Sequence, residues 1–389
     1  MTEENGSLGI QMLSKEGCRA RQVRLCRRLS ELNIEAAVIN HPKEIYYFTG
    51  IIIPEEFPGQ PALLWLGADG ASLLIAHTDQ GEPCVDECLT YQFNIGGTIT
   101  PELRDVLSGL IVETLRAKGF KVGRLGWQSE HLPRRLGLAV EEGMDRIPEW
   151  LAIDGLLADM QEIKDADEIA LLRKAVQVDL AAYAAAEEAI APGVNELEVL
   201  AAAQKAAHLA AGEKVFHDGD YQCGEMGGFA RDRRIEAGEL YVIDAWSTYR
   251  NYWADLCRTF AVGEPNDLQQ SVFDHIKRFH DQVGEYLQAG KDGSECAAMM
   301  DAYIREHPRL ADVGLVHHAG HNVGLRAHQF PDLNKERGGT LRVGNVVSLE
   351  PGAYIPEMRA GVRLENMYLI TEEGPENLSP YPMELGVHT

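Results

Sequence analysis

Eight side chains in this sequence could do chemistry together. The stretch LYVIDAWSTYRNYWADLCRTFAV places Asp244 at the end of an apolar β run and Asp255 at the start of another, after a polar turn centred near Tyr249 and Arg250. Paired as a hairpin about that turn, the strands set 244 opposite 255, both carboxylates leaving one face with Cβ atoms ~5 Å apart. Two like charges so placed call for a cation, because repulsion otherwise drives one carboxyl towards protonation and weakens the strand pair. Taken alone, the segment would be better described as two surface aspartates on an exposed hairpin. Further along, HHAGHNVGLRAH brings His317, His318, His321 and His328 among glycines that let backbone approach closely. VVSLEPGAY ends an apolar strand at Glu350, and AGVRLENMYLI carries Glu365 inside another. A glutamate in such a strand is rarely left buried and unpaired, given its desolvation cost. Two aspartates, two glutamates and a histidine make an oxygen-dominated shell suited to two divalent ions bridged by carboxylates; a structural zinc would take cysteines. The competing description is a set of scattered structural acids.

The elements that must position these groups follow from periodicity. Between about residues 14 and 150, strand candidates at 36–40, 62–67, 72–77 and 122–127 alternate with helical stretches near 15–33, 101–118 and 130–141, the pattern of a three-layer α/β domain. Near residue 155 a long alanine-rich helix pattern begins, with Asp165 and Glu168 at capping-box spacing, so the boundary falls at 155–165 and the domains are expected at 1–158 and 159–389. The second domain reads as two αα-ββ halves: helices 166–190 and 195–211 with strands 240–246 and 252–262, then helices 267–288 and 293–306 with strands 345–350 and 362–371. Asn195 and Glu198 repeat the capping spacing after a Pro192-Gly193 break. In the first domain, Arg19, Arg21, Arg24, Arg27 and Arg28 crowd one helix, expected as a solvated face opposite Val23, Leu29 and Leu32.

Composition narrows the class of function. The chain has 389 residues, 36 lysines and arginines against 60 aspartates and glutamates, and a net charge of −24, a field that repels a phosphate backbone and excludes nucleic acid as a partner. No apolar run approaches the ~18 to 20 residues of a bilayer crossing, so no membrane partner is expected. The acidic start MTEENGSLGIQML is unlike a secretory signal and makes cytoplasm the expected location. Seven scattered cysteines, without a C-x-x-C pair, suggest neither a zinc knuckle nor a disulfide framework.

The order and local context of Asp244, Asp255, His321, Glu350 and Glu365 resemble the five-ligand set of the pita-bread metallopeptidases, which include aminopeptidase P, prolidase, creatinase and methionine aminopeptidase. The motifs VIDAW, YWADLCRTF, HHAGHNVG, LEPGAY and GVRLEN are similar to the family's ligand segments, and RRLSELNIEAAVINHPKEIYYFTG to the start of a creatinase/prolidase N-terminal domain. The resemblance implies an α+β chain: a pita-bread C-terminal domain of duplicated αα-ββ halves behind a three-layer α/β N-terminal domain. It implies that Asp244 holds one metal, His321 and Glu350 the other, and that Asp255 and Glu365 bridge them. Two ions sharing a water lower its pKa and supply a hydroxide that attacks an amide bond. Manganese is the expected metal; cobalt, iron and zinc also suit the shell. Glu350 would take the water's proton, His328 would stabilise the oxyanion or bind a substrate carboxylate, His317 would stand behind the ligands, and Arg363 would orient Glu365. The implied substrate is a small molecule or short peptide, of Xaa-Pro dipeptidase or aminopeptidase type. The implied assembly is a homodimer, with 51–66 as its candidate contact.

One departure stands out. The family carries a histidine seventeen residues before the first aspartate, where this chain has Gly227. His217, Tyr221 and Glu225, on the same 217–230 segment, are the candidate substrate contacts. The departure leaves open a non-peptidase C–N hydrolase or lyase acting on a small charged metabolite with the same metals. A catalytically inactive binding protein on this fold is the third possibility, disfavoured by the complete ligand set.

Overall fold

The structure, a computed structural model, describes residues 12–386 apart from 56–58, 78–80 and 101. Its contacts divide the chain into two compact units, one ending at Met160 and the other beginning at Gln161.

The first unit is built on a six-stranded mixed sheet. Its strands are β1 Ala36–Ile39, β2 Leu63–Gly67, β3 Ser72–Ala76, β4 Glu87–Thr90, β7 Arg124–Trp127 and β8 Glu149–Ala152, in the order β4-β3-β2-β1-β7-β8, while β5 Asn94–Ile95 and β6 Thr98–Ile99 form a separate short pair. Residues of both parities in β1 to β3 are buried, as a sheet covered on two faces requires. On one face Val38, Trp65 and Ile75 meet Leu107 and Ile111 of α3 Leu103–Lys118 and Val140 of α4 Arg134–Gly143. Against β1 and β2 packs α1 Lys15–Glu31, which also packs on α2 Pro42–Thr49. The sheet therefore has helices on both sides, the three-layer arrangement.

Two expectations for this unit need correcting. Arg21 is not solvated: it is buried, donates from Nε to the Tyr47 carbonyl at 2.7 Å and lies over the Tyr47 ring, whereas Val23 and Leu32 are exposed. The buried stripe of α1 runs through Cys18, Gln22, Leu25 and Leu29. Within 51–66, Ile51, Ile53 and Leu63 to Leu66 are buried in the unit's own core, so these side chains are not free to meet a partner; residues 56–58 lie outside the described residues.

In the chain, α5 Asp154–Glu162 runs across the division, and the second unit proper then opens with α6 Ala166–Ala189 and α7 Glu196–Ala211. Each carries the reciprocal cap its sequence signals: Glu168 accepts from the Asp165 N–H at 2.8 Å and Glu198 from the Asn195 N–H at 2.9 Å. The strands β9 His217–Asp220, β10 Leu240–Tyr249 and β11 Tyr252–Ala261 form a sheet in the order β11-β10-β9, with α6 packed on β10 and β11. The second half supplies α8 Asp267–His280, α9 Val283–Tyr286 and α10 Gly293–Arg305. The single helix expected over 267–288 is thus interrupted, where the Asp281 and Gln282 N–H groups bond back three residues instead of four.

Strands β12 Gly320–Asn322, β13 Gln329–Leu333, β14 Val346–Leu349, β17 Asn366–Thr371 and β18 Gly374–Asn377 form a sheet in the order β13-β12-β14-β17-β18, and β15 Gly352–Ile355 pairs with β16 Ala360–Arg363. The strand expected at 362–371 is therefore two strands with different partners, broken at Leu364 and Glu365. Val272, Ile276, Met300, Val347, Leu349 and Val362 share the core beneath them.

Candidate metal centre

The β10–β11 hairpin turns at Arg250 and Asn251, both with positive φ (51° and 67°), one residue later than the sequence indicated. Asp244 consequently faces Cys257 and Asp255 faces Trp246, so the two aspartates are diagonal neighbours and not direct partners. The period-2 alternation still puts Asp244, Trp246, Trp253 and Asp255 on one face. His321 reaches the same place from β12, and Glu350 follows the last residue of β14. Glu365 sits in the break between β16 and β17, bridged to Cys257, where a continuous strand had been expected.

The break that presents Glu365 is held from behind. Arg258, fully buried on the opposite face of β11, donates to the Glu365 carbonyl at 2.5 Å, to Asn366 Oδ1 at 2.8 Å and to the Tyr381 carbonyl at 2.7 Å. The His280 ring lies 3.0 Å from the Leu364 carbonyl and 2.9 Å from the Tyr368 hydroxyl.

The four carboxylates and His321 line one cavity of about 320 Å³, with Trp246 and Trp253 among its walls. One ligand atom from each of Asp244, Asp255 and Glu365 lies within 4.8 Å of the others, and the same holds for His318, His321 and Glu350 and for Asp255, His321 and His328. Such a site without a cation is electrostatically deficient. Burial, then mutual repulsion, pushes the Asp255 and Glu365 carboxyls well above the usual range. Burial raises Asp244 to about 7 against the pull of Arg363. Burial also opposes ionisation of Glu350, yet the His318 ring beside it, with His317 and His321, brings that carboxyl down to about 2. Glu365 Oε1 is buried with no hydrogen-bond partner among the described residues. An orphaned carboxylate oxygen among like charges is the arrangement a divalent cation satisfies, so the donor set fits the metals that the sequence implies.

Around this core, Arg363 Nη2 lies 2.7 Å from Asp244 Oδ2 and 2.9 Å from Asp220 Oδ2. Arg363 thus pairs with Asp244, where the sequence had suggested that it orients Glu365. The His317 ring is 2.6 Å from the His318 carbonyl and 3.2 Å from the Tyr354 hydroxyl, with 3.9 Å to Glu350 Oε2. His328, more exposed, stacks on the His321 ring with centroids 3.6 Å apart.

The proposed substrate contacts lie elsewhere. His217 is closed off behind the sheet, its ring 2.8 Å from both Ser247 Oγ and the Tyr221 hydroxyl, while Ser247 bonds Asp179 at 2.6 Å. Residues 245, 247 and 249 alternate to the face away from the cavity, which is why a histidine paired with Ser247 cannot return to it. Tyr221 is buried in the same network, and Glu225 is exposed and pairs with Arg231 at 3.6 Å. None of the three lines the cavity. At Gly227 a Cβ would lie 2.2 Å from Asp220 Oδ2, so the aspartate occupies the space a side chain there would need.

A family model described as metallopeptidase family M24 matches residues 170–372, more than half of the chain. The chain belongs to metallopeptidase family M24. The model for the creatinase/prolidase N-terminal domain matches residues 21–163. Within M24, the Xaa-Pro dipeptidase of Pyrococcus furiosus is 33% identical over 243 residues, covering 61% of this chain and 69% of that protein. An uncharacterized peptidase of Bacillus subtilis is 25% identical over 91% of this chain and 96% of its own length. The solved prolidase of Pyrococcus horikoshii superposes with a TM-score of 0.74 at 25% identity, over 95% of this chain and 99% of that one. M24 membership makes this chain a metallohydrolase of a divalent-metal family with the pita-bread fold behind a creatinase-type domain. No helix among the described residues is long and apolar enough to cross a membrane.

Some residues at the cavity carried no assigned role in the sequence. Strand alternation from Asp244 and Asp255 would have found Trp246 and Trp253. His318 was visible only as one half of a histidine doublet, and nothing local marked Asp220 as the partner of Arg363.

Proposed function

We propose that this chain hydrolyses the amide bond of a short peptide of the Xaa-Pro class with two divalent ions, manganese natively, held by Asp244, Asp255, His321, Glu350 and Glu365. The ions, when bound, activate a water and polarise the carbonyl under attack. The chain's own groups do the rest. Glu350, held ionised by the neighbouring imidazoles, accepts a proton from the attacking water. Arg363 fixes the Asp244 carboxylate, and its own guanidinium is steadied by Asp220. His328, at the rim, meets the developing oxyanion or the substrate carboxylate. Trp246 and Trp253 give the cavity apolar walls that suit a pyrrolidine ring and exclude water.

The observation that carries this reading is the convergence of four buried carboxylates and His321 on one cavity, with Glu365 Oε1 unpaired among the described residues. Metal analysis tests it. The purified protein should hold about two divalent ions, and an Asp255→Ala variant should lose both, because a bridging ligand serves each. Retention of both ions by that variant refutes the assignment. The homodimer and cytoplasmic location remain part of the reading, and a stable monomer in light scattering at micromolar concentration would remove the first.

A second reading rests on Asp220. It fills the side-chain space at Gly227, where the family resemblance places a histidine at the scissile bond, and is itself an anion paired to Arg363, which lines the cavity. That favours a non-peptidase hydrolase or lyase on a small charged metabolite. Turnover of Xaa-Pro dipeptides at ordinary enzymic rates eliminates it; silence on every such dipeptide with the metals loaded favours it.

A further inference from the structure

His318 stands beside the five-ligand set without belonging to it. Its Nδ1 lies 3.0 Å from Glu350 Oε1, outside the alignment of a hydrogen bond, and this Nδ1 is buried with no hydrogen-bond partner among the described residues. This ring offers a ligand atom within 4.8 Å of one from His321 and one from Glu350, close enough for all three to meet one ion. The spacing agrees. With metal–ligand bonds of about 2.0–2.2 Å, donors at right angles on one ion lie about 3 Å apart, and wider angles take them to about 4 Å. His318 Nδ1 to Glu350 Oε1 is 3.0 Å, His321 Nε2 to Asp255 Oδ2 is 3.6 Å and His321 Nε2 to Glu350 Oε1 is 3.9 Å. The ring packs edge-on to His321 and His328, with centroids 5.5 Å from each.

We propose that His318 is a metal ligand, which would make the centre asymmetric: Asp244 would complete one position with oxygen alone, His318, His321 and Glu350 would make the other rich in imidazole, and Asp255 and Glu365 would serve both. The inference rests on the metal-centre reading above. Its consequence is selectivity. A hard ion such as Mn2+ suits the oxygen position, whereas two imidazoles and a carboxylate suit Zn2+ or Co2+. His328 belongs to a rival trio with Asp255 and His321, but it is the more exposed ring and stacks on His321 instead of approaching Glu350.

Co2+ is the probe, added to the metal-free full-length chain and followed by absorption and by calorimetric titration. In a His318→Cys variant a thiolate at this position would bind the ion and add a sulfur-to-cobalt charge-transfer band in the near ultraviolet; a His328→Cys variant should add none. His318→Gln should weaken one Co2+ site by at least about tenfold, the loss that follows removal even of a residue behind a ligand, and leave Mn2+ binding at the oxygen position intact. A band in His318→Cys together with that loss supports the proposal. Wild-type Co2+ affinity in His318→Gln, or a band in His328→Cys and not in His318→Cys, overturns it while leaving the metal centre standing. A wild-type chain that binds no Co2+, Mn2+ or Zn2+ overturns the metal-centre reading itself.

Discussion

Placing a side chain at Gly227 should damage the site, even though a histidine there would match the family pattern. Gly227 does not have the positive φ that Gly228 has (122°), so backbone conformation alone does not demand glycine. Space does. An ideal Cβ at 227 lies 2.2 Å from Asp220 Oδ2 and 2.8 Å from its Cγ, and the carboxylate must retreat by roughly 1 Å to reach even a tight contact. The same Oδ2 holds Arg363 Nη2 at 2.9 Å, and Oδ1 accepts from the Gly228 N–H at 2.8 Å, so the retreat strains both bonds. A charge-assisted hydrogen bond of this kind contributes about 1.5–3 kcal/mol, and with Asp220 about a quarter exposed the expected cost is nearer ~1–2 kcal/mol. In a unit of this size that lowers the melting temperature by about 2–4 °C per kcal/mol. Gly227→Ala should therefore melt a few degrees below the parent, and Gly227→His should lower Xaa-Pro turnover instead of raising it. Combined with Asp220→Gly, the alanine should cost almost nothing further, a non-additivity that a double-mutant cycle reads directly. A Gly227→Ala protein that melts with the parent, or fully additive effects in the cycle, refutes the steric argument.

Three other outcomes follow from buried groups. Lys164, whose Nζ lies 2.7 Å from Asn322 Oδ1, is pushed by burial down to about 7, against the attraction of Glu168 and Glu162. Between pH 7 and 10.5 the unfolded chain keeps a proton that the folded one has lost, so stability should rise across that window by up to about 1.4 kcal/mol per pH unit. A Lys164→Met variant should lack this rise in denaturant titrations. His217→Asn should lower stability by about 1–3 kcal/mol through the Ser247 and Tyr221 hydroxyls it leaves unpaired, with substrate KM unchanged; a raised KM would return His217 to the site. Glu365→Gln keeps the shape and removes the charge, so it should cut divalent-ion affinity at least about tenfold while melting no lower than the parent in the metal-free state, where Glu365 is already driven towards its neutral form.

The helices and paired strands of this chain were legible because each is governed by a local rule. Amphipathic spacing, the Asp165 and Asn195 caps and apolar runs located α6, α7, β1 and β10 to within a few residues. Breaks were less legible, because they are set by partners distant in sequence. The stretch 362–371 is apolar enough for one strand, and the partners that hold its backbone open at Leu364 and Glu365 include Arg258 and His280, more than eighty residues away. The same reason hid the burial of Arg21: its charge reads as surface, and the Tyr47 carbonyl that accepts from it belongs to another helix.

At the site, what survived was parity and what failed was distance. Misplacing the β10–β11 turn by one residue slid the strands by two, which left Asp244 and Asp255 on one face but moved them from direct to diagonal neighbours. Each carboxylate kept its face because the turn moved by a whole residue and the register by two; a loop of odd length would have shifted it by one and turned the two aspartates apart. The 217–230 segment has no such protection. Its side-chain directions depend on β9 pairing with β10, which puts His217 opposite Ser247 and turns it to the back of the sheet, while Asp220, opposite Asp244, comes to the front. Counting residues back to Gly227 marked where the family resemblance implies an imidazole, but not the carboxylate standing in that space. Where the family resemblance implies a ring, this chain sets a carboxylate fixed to Arg363, the residue that also pairs with Asp244.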